Sequence, residues 1–113
     1  MKIITSMLFM LTMLIPTVTT AAVFNNCSSF LNKTGYVSSV SVGVDNKEAP
    51  NISFSIMINN IYSGQISVKQ TLNDNSGKGM LETLLKAFGS SSELTIERCY
   101  DNQVAGVTIS RKE

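Results

Sequence analysis

Apolar residues fall into two rhythms along this chain. Over residues 76–89 they recur at helical spacing: Met80, Leu81, Leu84, Leu85 and Phe88 make one stripe, and Glu82, Thr83 and Lys86 fall off it. The spacing predicts a helix capped by Ser76 and ended by Gly89 in a left-handed conformation, with Gly77 and Gly79 loosening its first turn. Full burial of such side chains contributes roughly 1.5–3 kcal/mol each, so this helix needs an apolar bed.

Elsewhere the period is two. Val40, Val42 and Val44 alternate with Ser39, Ser41 and Gly43 in a first strand that Gly35 opens. Ile52, Phe54, Ile56 and Ile58 alternate with Ser53, Ser55 and Met57 in a second. Asn59 and Asn60 predict a tight hairpin turn, because asparagine tolerates positive φ. A third strand starts from Tyr62 with Ile66 and Val68 inward, and Leu94 and Ile96 mark a fourth that closes at Cys99. Residues 104–110 make a fifth whose two faces are both mild. Residues 45–50, 71–76 and 100–103 are polar connections, and 24–32 holds a short helical turn started by Asn25 or Asn26 and carrying Cys27. The order is three strands, one helix, two strands. It predicts a mainly β, α+β domain: a five-stranded OB-type barrel with its helix between strands three and four.

The first residues change the picture of where this domain works. Lys2, an apolar run over residues 3–15, Pro16 and the small pair Ala21 and Ala22 read as a secretory signal over residues 1–22, cut after Ala22 or, alternatively, after Ala21. Residues 23–113 are then one domain's worth of chain. Lys and Arg number 9 against 8 Asp and Glu, so without Lys2 the charges balance, which argues against a nucleic-acid partner. Cys27 and Cys99 are the only cysteines, and in an exported chain two cysteines are expected to pair. Closing a loop of roughly 70 residues contributes up to about 4 kcal/mol by chain entropy.

The chain has no histidine, which excludes a cysteine–histidine zinc site and a histidine-activated nucleophile. Its carboxylates are scattered, and Gly77-Lys78-Gly79 lacks the spacing of a phosphate loop. The expectation is a protein without enzymatic activity, metal or cofactor. Asn26, Asn32 and Asn51 each open an N-glycosylation acceptor pattern, which has meaning only in a eukaryotic secretory pathway.

With its cysteines and helix placed, the chain resembles the B subunits of the A-plus-pentameric-B bacterial toxins, the cholera and heat-labile enterotoxin type foremost. Shiga-type B subunits share the cysteine logic. Residues 77–113 carry the resemblance: the amphipathic helix, then Glu-Leu-Thr-Ile-Glu-Arg-Cys, then Asn-Gln-Val-Ala-Gly-Val-Thr-Ile-Ser. The resemblance implies a secreted homopentamer that binds host cell-surface glycans and delivers an enzymatic A subunit, whose tail threads a pore lined by the five helices. It also implies a sugar pocket between the loop before the helix and the turn after the second cysteine, here residues 69–76 and 100–103. The enterotoxin type stacks sugar on a tryptophan in that turn. This chain has no tryptophan, and Tyr100 is the ring on offer.

Within those stretches Asn73, Asp74, Asn75, Asp101, Asn102 and Gln103 suit a sugar, because planar amides and carboxylates match vicinal hydroxyl pairs. The same residue types are ordinary turn formers. Lys69 is either a partner for a sialic acid carboxylate or a solvated strand lysine, and Lys78, Glu82 and Lys86 are either a pore wall or a solvated helix face. The alternative to a toxin subunit is a monomeric periplasmic or secreted OB-type protein that binds a protein or small ligand.

Overall fold

A computed structural model describes residues 24–44 and 51–111. The expected signal segment 1–22 and the polar loop 45–50 lie outside the described residues. After a 3₁₀ turn at Cys27–Phe30 come β1 (Thr34–Val42), β2 (Asn51–Ile58), β3 (Ile61–Tyr62), β4 (Ile66–Thr71), helix α1 (Asn75–Ser90), β5 (Glu93–Tyr100) and β6 (Gln103–Ser110). The described protein is thus mainly β with one α-helix.

Its strands form one sheet in the order β1-β5-β6-β4-β2-β3, and β1 also pairs with β2, so the sheet returns on itself as an uneven ring. All neighbours are antiparallel except β4 and β6, which meet in parallel at Val68 and Val104. The core fills the ring with Ile52, Phe54 and Ile56 from β2, Ile66 and Val68 from β4, Leu94 and Ile96 from β5, and Val104 from β6. α1 closes it by inserting Met80, Leu84 and Ala87. It packs against β1, β4 and β2.

Six strands stand where five were expected, because the third is split. Asn59 and Asn60 both take positive φ, 52° and 67°, and turn the chain into β3 as a two-residue hairpin. Ser63 then leaves the ladder. Its N–H donates to the Ile56 carbonyl at 2.9 Å, its hydroxyl accepts the Ile56 N–H at 2.9 Å, and Gly64 at φ 79° redirects the chain into β4.

Periodicity assigned the faces of β2 correctly and understated their burial. Ser53 and Ser55 are as buried as the apolar residues between them. β2 is flanked by β1 and β4, with Ser41 and Ser67 opposite Ser53 and Ser39 opposite Ser55. The Ser38 and Ser39 hydroxyls both meet that of Ser55, at 2.7 and 2.5 Å. Small side chains crowded by neighbours lose their solvent without being apolar.

Other expectations fail at the ends of elements. Val42 and Val44 are 45% and 49% exposed, because β1 runs past the core there. Leu85 and Phe88, expected in the buried stripe, are each 50% exposed: a helix against one curved sheet buries a narrower arc than the apolar residues cover. The N-cap is Asp74, not Ser76, and its carboxylate accepts the Gly77 N–H at 2.9 Å while Ser76 donates to the same oxygen at 2.9 Å. The helix also runs through Gly89, and Ser91 takes the left-handed cap at φ 56° with its N–H on the Ala87 carbonyl. Gly77 does not loosen the first turn. A β-carbon there would lie 1.7 Å from the Thr71 carbonyl oxygen, so glycine lets the helix start press directly on the end of β4.

Candidate functional site

The expected pairing of Cys27 and Cys99 is present as a disulfide with its Cα atoms 5.9 Å apart. It ties the 3₁₀ turn to the last residues of β5. Immediately beyond, Asp101 and Asn102 form the two-residue turn between Tyr100 and Gln103, both at positive φ (53° and 64°). Aspartate and asparagine reach that region more readily than other non-glycine residues, which is a local reason for their presence.

The strands β4 and β6 pair at one position only, and the chain ahead of Cys27 runs beside the start of β4. Phe24 bridges to Gln65, the Asn25 N–H donates to the Gln65 carbonyl at 2.8 Å, and the Asn25 side-chain amide donates to the Ser63 carbonyl. The Cys27 N–H reaches the Asn102 carbonyl at 3.4 Å. Between this segment, β4 and the β5–β6 turn lies an open cavity of about 580 Å³. Its wall is Phe24, Asn25 and Asn26 on one side and Asp101, Asn102 and Gln103 on the other, with Ser67 of β4 between.

Three of the eight candidate sugar residues therefore line one cavity. Two more stand beside it: the Lys69 ammonium lies 3.4 Å from the Asp101 carboxylate and 5.1 Å above the Tyr100 ring. Tyr100 itself is 62% exposed. The remaining three are elsewhere. Asp74 caps α1, Asn75 is its first residue, and the Asn73 N–H turns back to the Thr71 hydroxyl at 3.3 Å. They do not line this cavity.

Phe24, Asn25, Asn26 and Ser67 were missed, and one signal could have found the first three. A Cys27–Cys99 bond brings the residues flanking each cysteine together, so 24–26 had to lie near 100–103. Nothing in the local pattern marks Ser67, because its role depends on β4 lying next to β6. A smaller, more apolar cavity of about 220 Å³ lies beside the hairpin, against Phe30, Lys33, Ile58 and Tyr62. Among the described residues, no three Cys, Asp or Glu side chains gather into a metal-holding group. No helix among them is long and apolar enough to cross a membrane.

No protein-family model matches this chain, and neither does any curated protein or solved structure.

Proposed function

We propose that this protein is the glycan-binding subunit of a ring-forming bacterial toxin, a secreted homopentamer that carries an enzymatic A subunit and performs no chemistry itself. The observation that carries the reading is the cavity between β4 and the β5–β6 turn. Its volume lies in the range of small-molecule sites. Side-chain amides, a carboxylate and a hydroxyl dominate its wall, with one phenyl ring. That mixture suits a sugar, which presents hydroxyls around its rim and an apolar ring face.

We read the fold as an OB-type barrel, with β3 and β4 counted together as its third strand. The ring pairing, the parallel contact of β4 with β6, and the position of α1 between β4 and β5 support that reading. The half-exposed Leu85 and Phe88 of α1 are what neighbouring copies in a ring would cover. A long-range disulfide fits an oxidising compartment and hence export. Individual shallow sugar sites bind weakly, and five on one ring raise apparent affinity by multivalency.

The test is a glycan array with the wild type, Asp101→Ala and Asn102→Ala. Both variants are expected to lose array binding while keeping the assembly and most of the thermal stability. Full binding by both would move the site elsewhere, to the first strand near Tyr36 and Ser38. An assembled wild type that binds no glycan would reject the reading.

A further inference from the structure

We infer that Phe24 is the stacking platform of the cavity between β4 and the β5–β6 turn, so that the face of a bound sugar lies on its ring and not on that of Tyr100. The inference rests on the glycan reading and goes further, to the residue that supplies the apolar half of the contact.

A pyranose carries its hydroxyls around the rim and carbon-bound hydrogens on its faces. Hydrogen bonds between those hydroxyls and a polar wall replace hydrogen bonds to water, so each gives only a small net gain. An apolar surface under the ring adds what the exchange does not, because it removes carbon-bound area from water and offers a π face to the polarised hydrogens. Among the described residues that line the cavity, Phe24 is the one apolar side chain. The amides of Asn25, Asn26, Asn102 and Gln103, the Asp101 carboxylate and the Ser67 hydroxyl surround it.

Packing does not account for this ring. Phe54 lies in the core and Phe30 packs against it, while Phe24 belongs to neither group and is half-buried at the cavity. Its backbone is nonetheless held. Phe24 bridges to Gln65, and the next residue, Asn25, donates its N–H to the Gln65 carbonyl at 2.8 Å and its side-chain amide to the Ser63 carbonyl. The disulfide follows at Cys27. A ring on a fixed backbone costs little ordering when a ligand settles on it. Tyr100 is less suited. It is 62% exposed, it does not line the cavity, and the Lys69 ammonium stands 5.1 Å from its ring centroid, over the face that a stacked sugar needs.

The experiment uses the disulfide-bonded protein, with intact mass showing that every variant starts at the same residue as the wild type. A glycan array is read first, and the methyl glycoside of the terminal sugar of each hit is the probe in solution. Saturation-transfer NMR is then recorded on deuterated protein protonated only at phenylalanine or only at tyrosine. The carbon-bound protons of the sugar are expected to take up saturation from the phenylalanine sample and not from the tyrosine sample. Phe24→Leu keeps an apolar side chain, so its fold should be unchanged, but it should lose that transfer and bind the probe about tenfold more weakly. Phe24→Tyr restores a ring and should bind within about threefold of wild type, as should Tyr100→Leu.

Saturation reaching the sugar from tyrosine, and lost in Tyr100→Leu, would overturn the inference and leave the glycan reading standing. So would wild-type affinity in a folded Phe24→Leu, or phenylalanine transfer that survives in that variant. An assembled wild type that retains no glycan on the array rejects the glycan reading and this inference together.

Discussion

At Gly77 and Asp74, side chains have been assigned to work that residue type alone would not reveal. The missing β-carbon of Gly77 makes room for the Thr71 carbonyl, and the Asp74 carboxylate satisfies the N–H that this close approach would otherwise leave without a partner. Gly77→Ala should therefore cost about 1–3 kcal/mol in urea unfolding, as overpacking does, even though alanine favours helix elsewhere. Asp74→Ala should cost about 1 kcal/mol, and Ser76→Ala much less, since Ser76 only buttresses the capping carboxylate. Equal losses at 74 and 76 would return the capping role to Ser76. Two of the proposed sugar ligands, Asp101 and Asn102, likewise serve a second purpose, because the β5–β6 turn demands residues that accept positive φ. For that reason the glycan-binding variants must be compared at matched stability.

α1 is the element on which sequence pattern and tertiary packing diverge most usefully. Five apolar positions make its stripe, but the sheet has room for only the part centred on Leu84, which is fully buried, while Leu85 and Phe88 stay half exposed. Leu84→Ala leaves a cavity and should cost about 2–5 kcal/mol. Leu85→Ala should cost about 1 kcal/mol or less within one chain. Leu85→Asp separates the two roles more sharply. It should leave far-ultraviolet circular dichroism and unfolding close to wild type and dissociate the assembly, as read by native mass. A variant that unfolds outright would show that Leu85 belongs to the core of a single chain. Lys78, Glu82 and Lys86 are exposed on the same helix, as both a pore wall and a solvated face require.

Considered whole, the molecule is an uneven ring whose disulfide ties the turn ahead of β1 to the end of β5. Because Cys27 stands next to the cavity residues Phe24, Asn25 and Asn26, the bond shapes the cavity as well as limiting the unfolded chain. Cys27→Ser with Cys99→Ser should lose about 2–5 kcal/mol of stability. It should also lose array binding under conditions where the remaining fold is intact by circular dichroism. Binding retained by such a folded variant would mean that the hydrogen bonds of Asn25 alone hold that wall. Sedimentation at micromolar concentration is expected to give about five times the chain mass. A single-chain mass would favour the alternative, a monomeric protein of the same fold that binds a protein or small ligand.

Much of this was legible in the chain by itself, for reasons of local physics. A period of two or of 3.6 comes directly from backbone geometry, so the strands, the helix and the inward residues Ile52, Phe54, Ile56, Ile66, Val68, Leu84, Leu94 and Ile96 could be read off. Positive-φ turns announce themselves as asparagine and aspartate pairs, and two cysteines leave one intrachain pairing. What only the tertiary structure decided is which of these local features come together. The burial of Ser53 and Ser55, the exposure of Phe88, the split between β3 and β4, and the meeting of Phe24 and Ser67 with Asp101 each depend on the neighbouring strand. A strand's own sequence carries its faces but not its partners, because pairing is settled by the closure of the whole sheet.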